Sequence, residues 1–181
     1  MKWLILIVLL LTTIDPGDIR KINVAKAEAK KAYLAGDFQT AIARYRYLLD
    51  SMQVDEDEVR MNLANAYFQA NDTTQALNAY LPLTQSKNAK LKSVAHQQMG
   101  VLNNRQGKLE EALTEFKQAL KTDPTNEDAR YNYEMVKKKI EEKKKQQQQD
   151  QKDKQQQDQN KDSKDQNDQN KDQQKQEQEN K

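Results

Sequence analysis

The stretch Gly107-Lys108-Leu109-Glu110-Glu111-Ala112-Leu113-Thr114-Glu115-Phe116 decides the fold of this chain, because its pattern occurs three times. In each copy a short turn opens, an alanine follows five residues later, and an aromatic residue stands four residues after the alanine. The alanines are Ala41, Ala76 and Ala112, which lie 35 and then 36 residues apart. A period of about 34 residues is typical of solenoids in which each repeat is a pair of helices.

Small residues recur at fixed places in both helices of each predicted pair, on the same helical face as the aromatic residues. We expect small residues in the first helices to let the partner helix approach closely: Ala29, Ala64 and Gly100. The partner helices carry their own small residues at the crossing: Ala41, Ala76 and Ala112. We expect aromatic residues to fill the space between neighbouring pairs: Tyr45, Tyr80 and Phe116.

The sequence therefore predicts an all-α fold, a solenoid of three helix–turn–helix repeats followed by a capping helix. The repeats are expected at about 22–56, 57–92 and 93–126, with the capping helix at 127–145. Thr125 to Asp128 supplies the start of that last helix, and its acidic residues suit the positive end of the helix dipole.

Glycine and proline residues mark the predicted helix ends. Gly107 should end the first helix of repeat three, where a left-handed residue is favoured. Pro124 cannot continue the second helix of that repeat, which should end at Asp123. Pro82 falls about two turns into the second helix of repeat two, so we predict a kink or an early stop there.

The repeats resemble the tetratricopeptide repeat (TPR) family, and the resemblance covers residues 22–145. It implies a curved stack whose concave wall is formed by first-helix side chains and binds other proteins. The family's motif assigns these groove positions to Lys26, Lys30, Tyr33, Leu34, Met61, Asn65, Phe68, Gln69, Gln97, Val101, Asn104 and Arg105. Cations, aromatic rings and amides suit an extended peptide with acidic and apolar side chains. The alternative is that Tyr33, Leu34 and Phe68 only pack between repeats.

Chaperone-binding members of the family use a set of Lys, Asn and Arg residues to clamp a terminal carboxylate. Lys26 and Asn62 match that set, whereas Lys30, Val94 and Gln98 stand where Asn, Lys and Arg are needed. The resemblance therefore implies neither an intact clamp nor a cytosolic co-chaperone role.

The residue types needed for common catalytic and metal sites are scarce. The chain has no cysteine, four glycines and a single histidine, His96, which we interpret as a packed helix residue. The acidic run at 55–58 suits a helix start and needs no metal. We expect no enzyme activity, no cofactor and no metal. A net charge of +2 without a strongly basic surface also disfavours nucleic acid as a partner.

The N-terminus has the layout of a secretory signal. Lys2 precedes an apolar run at 3–14, which is short for a full membrane span and is not followed at once by a clear cleavage site. We expect residues 1–20 to be either a cleaved signal peptide or a retained inner-membrane anchor. The protein would then be exported, either periplasmic or anchored facing the periplasm. The alternative is an N-terminal helix that caps the solenoid.

The C-terminal segment contains no hydrophobic residue from Gln146 to Lys181. No core can offset the cost of ordering it, so we predict a disordered tail at 146–181. A solvated spacer is the simplest role for it. Tethering to other envelope components and glutamine-driven self-association are the alternatives.

The whole layout resembles the BatC proteins of Bacteroides-type aerotolerance operons. The resemblance rests on the short apolar N-terminus, the three repeats, the junction at 126–134 and the Gln/Lys/Asp tail. It implies an exported, non-enzymatic scaffold that works with other Bat proteins, some of which carry von Willebrand A domains, in tolerance of oxygen or stress. The alternative is a structural envelope protein whose tail is the working part and whose repeats are a spacer.

Overall fold

The computed structural model describes the backbone of residues 16–179 and the side chains of residues 17–153. The apolar run at 3–14 lies outside the described residues. The described part contains helices and connecting turns and no strand, which confirms the predicted all-α class. The α-helices are α1 (Pro16–Leu34), α2 (Phe38–Arg46), α3 (Asp57–Gln69), α4 (Thr73–Tyr80), α5 (Ala89–Arg105), α6 (Leu109–Thr122) and α7 (Glu127–Glu179).

The first six helices form three packed pairs. Helix α1 packs on α2, α3 on α4, and α5 on α6. Contacts of α2 with α3 and of α4 with α5 show that successive pairs stack on one another. This arrangement is the predicted helix–turn–helix solenoid. It belongs to one compact unit that runs to Tyr133, and the chain from Glu134 onward forms a second unit.

The small residues of the repeat pattern lie where the sequence predicts. The three alanines of the second helices are fully buried: Ala41, Ala76 and Ala112. Ala29 and Ala64 of the first helices are fully buried as well. The aromatic residues beside them are buried too: Tyr45, Tyr80 and Phe116. The expectation that small and aromatic residues build the core is confirmed.

The turns between paired helices share a left-handed residue followed closely by the next helix. Gly36 and Gly107 have φ values of 79° and 77°, and Asn71 takes the same role with a φ of 58°. Asp37 and Asp72 cap the helices that follow, since each carboxylate accepts a hydrogen bond from a backbone N–H three residues later. The predicted end of a helix at Gly107 is confirmed.

Two second helices lose regular α geometry near their ends. Helix α4 stops at Tyr80 and continues as a 3₁₀ turn over Leu81–Gln85, which confirms the early stop predicted at Pro82. Helix α2 passes into a π-helical turn over Tyr47–Ser51, which the sequence did not predict. Helix α6 ends at Thr122, just before Asp123-Pro124, as predicted.

Helix α1 begins at Pro16, six residues before the predicted start of repeat one. Proline is favoured in the first turn because its missing N–H needs no partner there, and Asp18 adds a favourable charge. Residues 16–20, which belong to the predicted N-terminal segment, are therefore helical. Among the described residues, no helix combines the length and apolarity needed to cross a membrane.

Helix α7 begins at Glu127, where the side chain of Asn126 accepts a hydrogen bond from the backbone N–H of Ala129 at 2.9 Å. The predicted helix start is confirmed. The helix continues to Glu179, through residues for which the sequence predicts disorder. Side chains 141–153 are all exposed, and hydrogen bonds such as that from Gln146 to Asp150 join neighbouring turns. Residues 146–181 contain no apolar side chain that could pack in a core, which remains the reason to expect disorder there. Disorder of the tail stays a prediction.

Candidate functional site

A groove of about 520 Å³ lies between the first two repeats, with α1 as one wall and the start of α3 as the other. The α1 wall carries four residues predicted for the groove: Lys26, Lys30, Tyr33 and Leu34. The opposite wall carries Glu56, Glu58, Val59 and Asn62. The structure therefore brings the predicted groove residues of repeat one together.

An ion pair joins the two walls of this groove. The ammonium nitrogen of Lys26 lies 2.7 Å from both carboxylate oxygens of Glu56. The two side chains are 34% and 46% exposed, so water screens the pair and its contribution to stability is modest. Lys30, one turn further along α1, is exposed and makes no ion pair to a residue in the described part of the chain.

The apolar residues of the α1 wall differ in exposure. The ring of Tyr33 meets the ring of Phe38 edge to face, with centroids 5.6 Å apart, and packs against the core of repeat one. The packing interpretation therefore holds for part of the Tyr33 side chain. Leu34 is 74% exposed at the end of α1. A large apolar side chain that exposed is available to a partner.

A second cluster of predicted groove residues lies between repeats two and three. The guanidinium of Arg105 stands 4.3 Å from the centroid of the Phe68 ring, a cation–π arrangement. Phe68 also packs partly against the core, whereas the neighbouring Gln69 is exposed. Val101 and Asn104 of α5 are partly buried, and the carboxamide oxygen of Asn104 is buried without a hydrogen-bond donor among the described residues.

Three predicted groove residues pack or form hydrogen bonds within the fold. Met61 is only 6% exposed and belongs to the core of repeat two. The Asn65 side chain accepts a hydrogen bond from the Tyr80 hydroxyl at 2.6 Å. Gln97 is buried and accepts one from Asn126 at 3.2 Å. Packing and hydrogen bonds within the fold occupy these side chains, and contact with a ligand stays a prediction for them.

Sequence reasoning missed the acidic wall of the groove. Glu56 and Glu58 belong to the acidic run at 55–58, which we interpreted only as a favourable charge at a helix start. Both residues do lie at the start of α3. The missed signal is that Glu56 stands 30 residues after Lys26, close to one repeat period. Residues about one repeat apart face each other when successive first helices stack side by side.

The described residues contain no cluster that could hold a metal ion. Within residues 17–153 no group of three or more His, Asp or Glu side chains is placed to hold a metal ion. Nδ1 of His96 lies 2.7 Å from Oε2 of Glu115 and joins α5 to α6, which fits the interpretation of His96 as a packed helix residue. Another depression, of about 600 Å³, lies between α2 and α4, and its wall holds the ion pair of Arg46 with Asp50.

Two protein-family models match the chain. One is described as a tetratricopeptide repeat and matches residues 26–86, and the other is described as a TPR repeat and matches residues 104–133. No curated protein matches the sequence.

Several solved TPR structures share the fold. The first TPR of Spaghetti (RPAP3), bound to an HSP90 peptide, is 22% identical, with a TM-score of 0.58 over 67% of this chain and 94% of its own. The second TPR domain of human RPAP3, in complex with an HSP70 peptide, is 21% identical, with a TM-score of 0.58 over 67% of this chain and 98% of its own. The Sgt2 TPR domain of Aspergillus fumigatus is 19% identical, with a TM-score of 0.60 over 69% and 82%. At these identities the likeness shows the fold alone.

Proposed function

We propose that this chain, a tetratricopeptide repeat protein, is a non-enzymatic scaffold that holds a segment of another protein in the groove between its first two repeats. The observation that carries the proposal is the pairing of an exposed cation with an exposed apolar side chain on one wall. Lys30 and Leu34 are one helical turn apart, line the groove and are both solvent-accessible. Related folds support the proposal, since the Spaghetti and human RPAP3 domains are bound to peptides.

The test is recovery of a defined partner by the full chain from detergent-solubilised cells. The charge-reversal triple variant Lys26→Glu, Lys30→Glu and Arg105→Glu should recover much less partner, because two of these cations line the groove and the third covers Phe68. Lys31→Glu is the matched control, since Lys31 is an exposed cation of the same helix outside the groove lining. Undiminished recovery by the triple variant would reject the groove assignment.

The compartment and the biological setting are also part of the proposal. The lysine followed by an apolar run at 3–14 supports export, with the repeats in the periplasm or tethered to the inner membrane. The resemblance to BatC supports a partner among the Bat proteins with von Willebrand A domains and a role in tolerance of oxygen or stress. N-terminal sequencing of the mature protein, together with cell fractionation, tests export. A cytosolic protein with an intact Met1 would reject it.

A second candidate function gives the C-terminal segment the working role and makes the repeats a spacer. It is favoured by the full exposure of side chains 141–153 at the start of that segment. Deletion of residues 146–181 separates the two candidates. Loss of function with unchanged partner recovery would favour the tail, whereas loss of partner recovery in the groove variant alone would favour the scaffold.

A further inference from the structure

The groove between the first two repeats contains charges of both signs. Lys26 and Glu56 neutralise each other across it, with the ammonium contacting both carboxylate oxygens. Lys30 remains on the α1 wall and Glu58 on the α3 wall. Both are exposed, and neither has an ion-pair partner among residues 17–153. The groove therefore offers one unpaired cation and one unpaired anion on opposite walls.

Apolar surface accompanies these two charges. Leu34 follows Lys30 by one helical turn on α1, whereas Val59, which follows Glu58 on α3, is 3% exposed and belongs to the core. Leu34 is largely exposed, and the partly buried Tyr33 lines the same groove. An occupant that covers this surface removes Leu34 from water, which is favourable in proportion to the apolar area buried.

A free terminal carboxylate is poorly matched to this arrangement. Strong recognition of a terminal carboxylate needs several fixed donors at one point, whereas this groove offers one unpaired ammonium at Lys30 and one neutral amide at Asn62. Lys26 is held by Glu56, and a second carboxylate at that point would be repelled by the first. Further along the stack Val94 and Gln98 contribute no charge.

We propose that this groove selects an internal segment of a partner protein that carries an acidic, an apolar and a basic side chain together. The acidic side chain pairs with Lys30, the apolar side chain covers Leu34, and the basic side chain pairs with Glu58. Lys26 and Glu56 hold the two walls together and contribute little to selectivity. This inference rests on the proposed scaffold function and specifies the chemistry of its ligand.

The test uses two sets of probes against the full chain in detergent. The first is a library of random dodecapeptides displayed on phage through their C-termini, so that no terminal carboxylate is free. The second is a set of synthetic peptides made from the enriched sequences, each prepared as the amide and as the free acid. We expect enriched sequences to contain both charge signs around an apolar residue. The amide and the free acid should bind equally well.

Single variants then test how much each groove charge contributes to binding of the selected peptide. Lys30→Gln should weaken binding of the selected peptide about tenfold, the size expected for one charge-assisted contact at a partly exposed site. Glu58→Gln should weaken it by a similar factor, and Lys30→Arg should retain it. The matched control Lys31→Gln should bind like the parent chain. A peptide whose acidic residue is changed to its amide should no longer distinguish Lys30→Gln from the parent.

The possible outcomes distinguish a failure of this inference from a failure of the proposed scaffold function. Enrichment of peptides with a single charge sign, or free acids that bind clearly more tightly than their amides, would overturn the inference and leave the scaffold function standing. Selected peptides that bind the Lys30 and Glu58 variants undiminished would also overturn it. If no library peptide binds the chain, the inference and the proposed groove function both fail.

Discussion

Gly100 packs directly against the ring of Phe116, at the crossing of α5 and α6. A Cβ atom placed on Gly100 would lie 2.7 Å from Cε1 of that ring, closer than real side chains approach. Ala29 and Ala64 hold the corresponding place in the first two repeats and are fully buried. In repeat three the Phe116 ring therefore occupies the space that a Cβ atom on Gly100 would need.

Gly100→Ala should destabilise the protein despite improving local helix propensity. Alanine is favoured over glycine inside a helix by about 1 kcal/mol. Forcing the fully buried Phe116 ring to move typically costs about 1–3 kcal/mol, so we expect a net loss in the free energy of unfolding. Urea denaturation of the parent and the variant measures it.

The control for this prediction is the same change in a Phe116→Leu background. A smaller side chain leaves room for the new methyl group, so Gly100→Ala should cost less there than in the parent. The difference between the two costs is the coupling energy of the pair. Equal costs in both backgrounds would show that the ring does not set the size limit at position 100.

Tyr80→Phe should lower stability at neutral pH and also change its dependence on alkaline pH. The Tyr80 hydroxyl donates to Asn65 at 2.6 Å, and its loss should cost about 1 kcal/mol. Burial, with a smaller contribution from Tyr33, raises the pKa of Tyr80 above its ordinary value of 10. As pH rises above about 10, Tyr80 ionises in the unfolded chain before it does in the folded one, so stability falls.

Urea denaturation at pH 8 and at pH 11 measures this effect. The free energy of unfolding should fall less from pH 8 to pH 11 in Tyr80→Phe than in the parent, because the variant lacks the Tyr80 hydroxyl that ionises over this range. The loss should not vanish, since burial raises the pKa of Tyr45 as well. Tyr131→Phe, at a 66% exposed position, should leave the loss unchanged. Equal losses in the parent and Tyr80→Phe would show that ionisation of Tyr80 does not contribute to the loss of stability at alkaline pH.

The core was predictable from sequence because it follows from the repeat period and from the spacing of residues within each helix. Ala41, Ala76 and Ala112 were identified by their period alone, and Pro82 showed where α4 ends. The π-helical turn at Tyr47–Ser51 was not predicted, because it contains no proline or glycine to mark it.

The groove was only partly predictable because its contacts join different repeats. Motif positions selected Lys26 and Lys30, and both line the groove from α1. They did not show that Glu56 binds Lys26, or that Asn65 is held by Tyr80. Such pairings depend on how side chains turn after helices stack, and a motif position does not specify that.

The pair of Phe68 and Arg105 should show a measurable coupling across repeats two and three. The guanidinium lies 4.3 Å from the ring centroid at an exposed position, where a cation–π contact contributes about 0.5–1 kcal/mol. A double-mutant cycle with Phe68→Leu and Arg105→Met should yield a coupling energy of this size. Arg105→Lys keeps the charge and should retain part of it. An additive cycle would mean that the two groups do not interact in solution.

Removal of residues 146–181 should leave the stability of the repeats unchanged. Side chains 141–153 are all exposed, and the segment beyond Lys145 has no apolar residue to bury. The helix there depends on its own hydrogen bonds and short-range pairs such as Gln149 with Asp153, which stabilise a helix only weakly. Truncation after Lys145 should shift the free energy of unfolding by less than about 0.5 kcal/mol. Amide exchange beyond Gln146 should be fast while α5 is protected. Protection that extends through Glu179, or a clear loss of stability on truncation, would show that this segment is an ordered part of the fold.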